Sequence, residues 1–420
     1  MKVYLRTFGC RANQYDTETV RALLESAGHS TVPHPADADV AIFNSCAVTA
    51  DAEADLRQAV RRAAREQPAL RSIIMGCASA LSERRSSSSL RSLPTVEELV
   101  AGADMESLAA ALGLPPGSAV VRAAQQSTSR ALLRVQDGCD EHCTFCATTL
   151  ARGSNRSRAP IDIVSEARQL AARHAEIVIT GIHIGSYGRD IGSSLGALVE
   201  QLVDEVSVVR FRLSSLEATE VDERLFALLT QLPLRVAPYL HAPLQSGSNA
   251  VLRRMGRHWY TAESYARVVE RLIAATSAFG LGADVIAGFP GETEEDHRRT
   301  VSLVEELPFT YVHVFPFSLR PGTSAERLEG RLAGDVAARR AVELREVGTR
   351  KAAVYRRARS GGLADVVVVH GPASRGREGI TEDYLSVSLG DAAIPRGARF
   401  RARLSADSDR LSATPLGPSP

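Results

Sequence analysis

The stretch ALLRVQDGCDEHCTFC, residues 131–146, runs from an apolar segment into a loop that carries three cysteines spaced C-x3-C-x2-C. The apolar part, closed by Gly138, reads as a strand, and the cysteines begin immediately after it. Outward from here the same alternation repeats. EIVITGI (176–182), VVRFRLSSL (208–216), APYLHAPL (237–244), GADVIAGFP (282–290) and YVHVFPFS (311–318) are further strand candidates. Helical patterns such as PIDIVSEARQLAARH (160–174) and AESYARVVERLIAATSAFG (262–280) separate them. Six such repeats over about 190 residues predict a parallel (β/α)6 barrel, a partial one, because a full eightfold barrel takes roughly 250 residues.

Upstream, KVYLRTFG, DVAIFNSC and RSIIMGC read as strands, and DTETVRALLESAGHS and ADLRQAVRRAAREQ as helices between them. This βαβαβ pattern predicts a parallel sheet with right-handed crossovers. Residues 82–93, SERRSSSSLRSL, read as a low-complexity loop. A short helix is expected after Pro94, and LPPGSAVVRAAQQSTSR (114–130) reads as a linker. Downstream of the barrel comes a long arginine-rich helix near 335–359. Short alternating strands broken by Gly and Pro then suggest a small β-barrel. The expected organisation is α/β, with an N-terminal βαβ parallel-sheet domain over 1–115, a barrel domain over 125–350 and a terminal β-barrel over 355–420.

The 420 residues carry a formal net charge of +1, so any nucleic-acid surface must be a local patch. Lys2 and Lys351 are the only lysines; arginine carries the rest, as a bias toward GC-rich codons also produces. MKVYLRTFGC lacks an apolar signal core, and no run of eighteen apolar residues occurs, so a cytoplasmic protein without a membrane span is expected. Thiols stay reduced there, and six cysteines read as metal ligands or catalytic groups rather than disulfides.

Cys10, Cys46 and Cys77 each stand at the carboxyl end of one of the first three predicted strands, the edge where parallel sheets gather ligands. The alternative is three small buried hydrophobes. Cys139, Cys143 and Cys146 stand at the corresponding face of the barrel. Thiolates select zinc, copper(I) or iron–sulfur clusters. Zinc asks for a fourth ligand, which His142, placed inside the loop, is ill-suited to give. Three cysteines in one tight loop suit three irons of a 4Fe–4S cluster, with the fourth iron open.

CDEHCTFC, with Phe145 before the last cysteine, resembles the signature of radical S-adenosylmethionine enzymes. TFGCRANQYDTE, FNSCAVT, IIMGC, RGSNRSR, TGIHIGSYG, RLSSLE, HAPLQSGSNAVLRRMGR, DVIAGFPGETEED and HVFPFSLRPGT extend the resemblance to the methylthiotransferase family across nearly the whole chain. The resemblance implies two 4Fe–4S clusters, one on Cys10, Cys46 and Cys77 and one on Cys139, Cys143 and Cys146. It also implies a terminal TRAM barrel that binds RNA. The open iron of the second cluster chelates S-adenosylmethionine. In the family's scheme one S-adenosylmethionine methylates a sulfur at the N-terminal cluster. A second is cleaved to a radical that leads to hydrogen loss at the target carbon.

The branches of the family act on isopentenyladenosine or threonylcarbamoyladenosine at tRNA position 37, or on an aspartate of ribosomal protein S12. NQYDTE, CAVTADAEADLRQAVRRA and above all TGIHIGSYG most resemble the threonylcarbamoyladenosine branch. A zinc-stabilised RNA-binding protein without catalysis is the competing reading from another class. Implied partners are tRNA and a low-potential electron donor such as flavodoxin or ferredoxin.

For the cofactor, the resemblance points to Phe145 beside the adenine, Thr180 and Gly181 near the methionine amino group, and Glu217 and Gln245 as ribose or base contacts. Arg152 is expected by the cluster, with Arg156 and Arg158 beside it for RNA. Arg253, Arg254 and Arg257, the helix from Arg339 to Arg359, and Arg375, Arg377, Arg399, Arg401 and Arg403 extend a candidate phosphate path. His183 and His241 read as structural histidines that also stand near the pocket. Two departures stand out: Thr149 falls where the family has a proline, and the loop after Cys77 is unlike the usual continuation.

Overall fold

The computed structural model describes residues 1–48, 50–84, 89–118, 126–369, 377–390, 392–407 and 410–419. Its N-terminal sheet comprises β1 (Lys2–Thr7), β2 (Ser30–Val32), β3 (Val40–Ser45), β4 (Arg71–Gly76) and β5 (Val96–Ala101), in the order β2-β1-β3-β4-β5. Every pairing in it is parallel. The helices are α1 (Arg11–Ser26), α2 (Ala50–Glu66), α3 (Cys77–Arg84) and α4 (Met105–Ala111). β3 is buried at all six positions because both faces of the sheet are covered. Val40 and Ile42 pack on one side with Val20 and Leu24 of α1, and Ala41 and Phe43 on the other with Leu56 and Val60 of α2.

Two expectations need correction here. The segment after Pro94 is a strand, and the helix follows only at Met105, capped by the Asp104 carboxylate on the Ser107 N–H at 3.0 Å. Glu and Leu in VEELVA favour helix, but the open edge of β4 offers a row of hydrogen bonds that wins. The serine-rich segment is not wholly loop: α3 runs to Arg84, and Leu90 and Leu93 are buried in the sheet core. Residues 85–88 of that segment, and 119–125 of the expected linker, lie outside the described residues.

The central strands all form where expected. β6 (Ala131–Arg134) is followed by a two-stranded ribbon, β7 (Gln136–Asp137) with β8 (Arg156–Ser157), and then by β9 (Glu176–Thr180), β10 (Arg210–Leu213), β11 (Tyr239–His241), β12 (Gly280–Ala287) and β13 (Tyr311–Pro316). Two parallel three-stranded sheets, β10-β9-β6 and β11-β12-β13, are joined by the bridges Phe211↔Val236 and Ser215↔His241. The result is a six-stranded partial barrel. α5 (Thr148–Arg152), α6 (Pro160–Ala171), α7 (Leu195–Glu205), α8 (Glu223–Gln231), α9 (Asn249–Arg254), α10 (Ala262–Ala274) and α11 (Glu294–Glu306) lie between the strands. α1 packs against β6, where Tyr15 meets Leu132 and Val178.

The long helix α12 (Gly334–Arg359) leads into a closed barrel of β14 (Leu363–Val369), β15 (Glu378–Thr381), β16 (Ser386–Ser388), β17 (Arg399–Asp407) and β18 (Arg410–Pro418). That barrel docks at the amino ends of the central strands. Glu176, fully buried at the start of β9, takes hydrogen bonds from Arg210 at 2.7 Å and Arg212 at 2.8 Å. Arg210 and Arg212 pass on to the carbonyls of Asp365 and Thr381 in the terminal barrel. Burial opposes ionisation of Glu176, yet the guanidiniums of Arg212 and Arg210 hold it well below the usual carboxylate range.

Candidate active site

The first three cysteines meet at the carboxyl edge of the N-terminal sheet. Cys10 is the residue before α1, Cys46 follows β3, and Cys77 opens α3 directly after β4. Asn13, one turn into α1, organises them. Its Nδ2 donates to the carbonyls of Phe8 and Ser45, and its Oδ1 lies 3.9 Å from Cys10 Sγ and 4.0 Å from Cys77 Sγ. Gly9, at φ 95°, brings Cys46 into the group: a Cβ there would stand 2.7 Å from Cys46 Sγ. Burial pushes the Cys46 thiol up and the Cys77 thiol up to about 11, so any metal bound here must displace protons. Three thiols at one sheet edge, each from a different loop, with Cys46 and Cys77 buried and Cys10 exposed, suit a cluster that takes three protein ligands.

The other triplet lies in the loop after β7. Cys139 N–H bonds the Gly153 carbonyl at 3.0 Å and Cys146 N–H the Cys143 carbonyl at 3.1 Å, which folds the loop back on itself. All three cysteines line one cavity of about 160 Å³, with Phe145, His183, Glu217, Gln245 and Arg257 in its other walls. Arg257 Nη1 donates to Cys143 Sγ at 3.3 Å, and His183 Nδ1 lies 3.7 Å from Cys139 Sγ. Burial drives the Cys143 thiol up to about 12, against the pull of Arg257. Three thiols lining one cavity fit a 4Fe–4S cluster with one iron left for a cofactor.

Phe145 and Gln245 line a second cavity as well, of about 180 Å³, which reaches Asp284, Phe315, Phe317 and Val48. Val48 is two residues past Cys46, and its N–H donates to Cys46 Sγ at 3.4 Å. The two cavities thus share Phe145 and Gln245, and the second ends at the residue whose N–H meets Cys46. Asp284 in its wall is held by His241, Nε2 to Oδ2 at 3.1 Å, and His241 Nδ1 is held by the Tyr311 hydroxyl at 2.8 Å.

The other residues singled out from the sequence divide. Gln245, at φ 61°, and Phe145 stand on both cavities. Glu217 lines the first, but its two oxygens are taken by Arg257 and by the Trp259 N–H. Thr180 is buried and paired with β6. Gly181 is required by a neighbour: a Cβ there would stand 2.8 Å from Gln136 Oε1, which accepts the N–H groups of Ile182 and His183 at 3.0 and 2.8 Å. His183 is fixed by Glu220 at 2.9 Å. Arg152 is absent from the cavity walls and turns to Cys77.

Most of the arginines read as a phosphate path are committed elsewhere. Arg158 binds Glu166, Arg254 the carbonyls of Pro290 and Glu329, Arg359 binds Glu382 and Asp383, Arg399 binds Asp365, and Arg377 binds the carbonyls of Ala392 and Ile394. Arg156 and Arg253 stand exposed, and Arg375 lies outside the described residues. Sequence reasoning missed Asn13, Asp16 and Trp259. The NQYD run three residues after Cys10 was the available signal for the first two, being polar residues in a helix that the fold buries.

Residues 2–102 match the uncharacterized protein family UPF0004, and residues 133–304 match the Radical SAM superfamily. The threonylcarbamoyladenosine tRNA methylthiotransferase MtaB of Thermotoga maritima is 36% identical over 344 residues, covering 78% of this chain and 77% of that protein. Its namesake from Bacillus subtilis is 35% identical over 347 residues, 78% and 76% of the two chains. A tRNA-2-methylthio-N(6)-dimethylallyladenosine synthase of a Parafrankia species is 34% identical over 393 residues, 87% and 78%. Among solved structures, the radical S-adenosylmethionine methyltransferase TsrM of Kitasatospora setae, with cobalamin and a 4Fe-4S cluster bound, superposes with a TM-score of 0.53. It covers 77% of this chain and 76% of that one at 15% identity, a likeness of fold. No described helix is long and apolar enough to cross a membrane.

Proposed function

Because the chain belongs to the radical S-adenosylmethionine methylthiotransferases, enzymes of the Radical SAM superfamily, we propose that it places a methylthio group on C2 of threonylcarbamoyladenosine in tRNA, at position 37. The observation that carries this reading is a pair of cavities that share Phe145 and Gln245, one lined by Cys139, Cys143 and Cys146 and the other reaching Val48, whose N–H donates to Cys46 Sγ. Carbon–hydrogen thiolation needs a source of radical and a source of sulfur at one atom of the substrate, and such a pair offers a place for each. When bound, a 4Fe–4S cluster on the barrel loop supplies the electron for reductive cleavage of S-adenosylmethionine.

The remaining work falls to side chains. Phe145, Phe315 and Phe317 offer faces on which an adenine ring stacks. Asp284, oriented by His241, offers a fixed acceptor for an N–H of the base. Cys10, Cys46 and Cys77 would hold a second 4Fe–4S cluster, which would supply the sulfur. Two S-adenosylmethionine molecules are consumed, one for the methyl group and one for removal of the C2 hydrogen. The terminal barrel and the exposed Arg156 and Arg253 receive the tRNA backbone, and a low-potential flavodoxin or ferredoxin delivers the electron. Such a reaction belongs in the cytoplasm, with its tRNA.

The substrate branch rests on the first relatives and on TGIHIGSYG. Mass spectrometry of tRNA nucleosides from cells lacking this protein tests it. The expected result is loss of 2-methylthio-threonylcarbamoyladenosine with the isopentenyl derivative intact; the reverse pattern assigns the other tRNA branch. Anaerobic purification tests the enzyme class: about eight irons, four per cluster, are expected. A colourless protein with stoichiometric zinc overturns the reading.

A further inference from the structure

Arg152 closes the short helix that follows Cys146, yet its guanidinium is not part of the cavity beside that cysteine. It crosses to the other triplet. Nε donates to Cys77 Sγ at 3.4 Å, and Nη2 donates to Asn13 Oδ1 and to Asp16 Oδ2, both at 2.7 Å. Asn13 is the same side chain whose Oδ1 faces Cys10 and Cys77. Asp16 is gripped from a third side by Arg134 of β6 at 2.5 Å. The side chain of Arg152 is 2% exposed. α3, which begins at Cys77, and α5, which ends at Arg152, pack on one another.

We infer that Arg152 is a positioning residue for the N-terminal cluster: its N–H bond to the Cys77 sulfur and its buried charge raise that cluster's reduction potential, and its place on α5 ties the two cysteine sites at a fixed separation. The inference rests on the reading that Cys10, Cys46 and Cys77 hold a cluster. A hydrogen bond to a ligating sulfur, and a cation close by, both favour the more negative, reduced state. The effect is strong here because water is excluded and the guanidinium cannot lose its proton. The geometry also explains why arginine stands at this place. Cys77, Asn13 and Asp16 are met by one planar fork, whereas an ammonium offers a single point of charge.

The mechanical consequence follows from the same bonds. The loop bearing Cys139, Cys143 and Cys146 continues without interruption into α5, and α5 is locked to the edge of the N-terminal sheet by Arg152. A substrate atom that must meet both sites in one turnover requires such a lock, because radical chemistry is sensitive to misplacement on the scale of an ångström.

The test uses the full chain in two backgrounds. Cys139, Cys143 and Cys146 replaced by alanine leave the N-terminal triplet alone; Cys10, Cys46 and Cys77 replaced by alanine leave the barrel loop alone. Each is reconstituted anaerobically with iron and sulfide, with arginine at 152, with Arg152→Lys and with Arg152→Gln. Iron content, the EPR spectrum of the reduced state and the midpoint potential are then read. In the first background the midpoint is expected to move to more negative values, further for Gln than for Lys, with an altered EPR spectrum. In the second it is expected to stay in place. An unchanged potential and spectrum for Arg152→Gln in the first background overturns the inference, and so does an equal shift in both backgrounds. Should the Gln variant fail to take up iron, the Lys variant carries the same comparison. Absence of iron from the first background with arginine at 152 overturns the two-cluster reading itself, an outcome visible before any Arg152 variant is compared.

Discussion

Arg257 donates from Nη1 to Cys143 Sγ at 3.3 Å while its Nη2 is held by Glu217. The guanidinium is buried, and Nε adds a bond to the Tyr260 hydroxyl at 3.0 Å. Removing one partner of such a buried pair leaves the other charge stranded, at about 3–5 kcal/mol. Arg257→Met is therefore expected to lower thermal stability and to reduce S-adenosylmethionine cleavage by 10- to 100-fold, the usual loss for a group that supports a metal ligand. Release of 5'-deoxyadenosine, followed by chromatography, measures this. A variant that cleaves at the native rate would show that Arg257 serves packing alone.

The two triplets are expected to separate by function. Cys139→Ala removes a ligand at the cavity where the cofactor is read to bind and should abolish cleavage of S-adenosylmethionine. Cys46→Ala changes the N-terminal triplet, beyond Val48 of the second cavity, and should spare cleavage while stopping thiolation of tRNA. Thiolation by the Cys46 variant would sink the assignment of the N-terminal site.

How far the sequence anticipated this geometry depended on the range of the signal. Strand ends are local features, so Cys10, Cys46 and Cys77 could be placed on one edge from the alternation of apolar runs alone. VEELVA could not be read, because what makes it a strand is the open edge of β4, which lies outside the segment itself. The same limit hid the roles of the arginines. Arg152, Arg210, Arg212 and Arg257 look like surface charge in sequence, and each is buried because a carboxylate distant in the chain, Asp16, Glu176 or Glu217, comes to meet it. Counting Arg257 into a phosphate path overlooked its pairing with Glu217.

Gly9 offers a test of how tightly the N-terminal site is built. Its φ of 95° disfavours any side chain, and an alanine Cβ would press on Cys46 at 2.7 Å from the sulfur. Backbone strain of about 1–3 kcal/mol adds to that clash. Gly9→Ala is expected to lower iron content by about half while cofactor cleavage persists, since one of two four-iron sites is disturbed. Full iron occupancy in the variant would mean that Cys46 can retreat from Gly9 without loss.

Packing of the terminal barrel against the end of α12 is expected to depend on pH through Glu382, whose carboxylate meets Arg359 and the Asp365 N–H. Two adjacent acids, Glu382 half-buried and Asp383 buried, share Arg359 there: Nη2 donates to Glu382 at 2.9 Å and Nε to Asp383 at 2.6 Å. Asp383 keeps its charge, because Arg359, Thr381 and Tyr355 outweigh its burial and hold its carboxyl below the usual range. Burial and the Asp383 charge push Glu382 up to about 7. Its unfolded value is that of an ordinary glutamate, about 4.3, so the folded state binds the extra proton between these limits. Stability then falls as pH rises through that window, by a few kcal/mol at most, and levels off above pH ~7.5. Glu382→Gln mimics the protonated form, so the difference in melting temperature between variant and native chain should grow from pH 5 to pH 7.5 in the variant's favour. Limited proteolysis at the junction of α12 and β14 should follow the same course in the native chain. Parallel melting curves for the two chains across this range would remove the Glu382 carboxylate from the packing of α12 on the barrel.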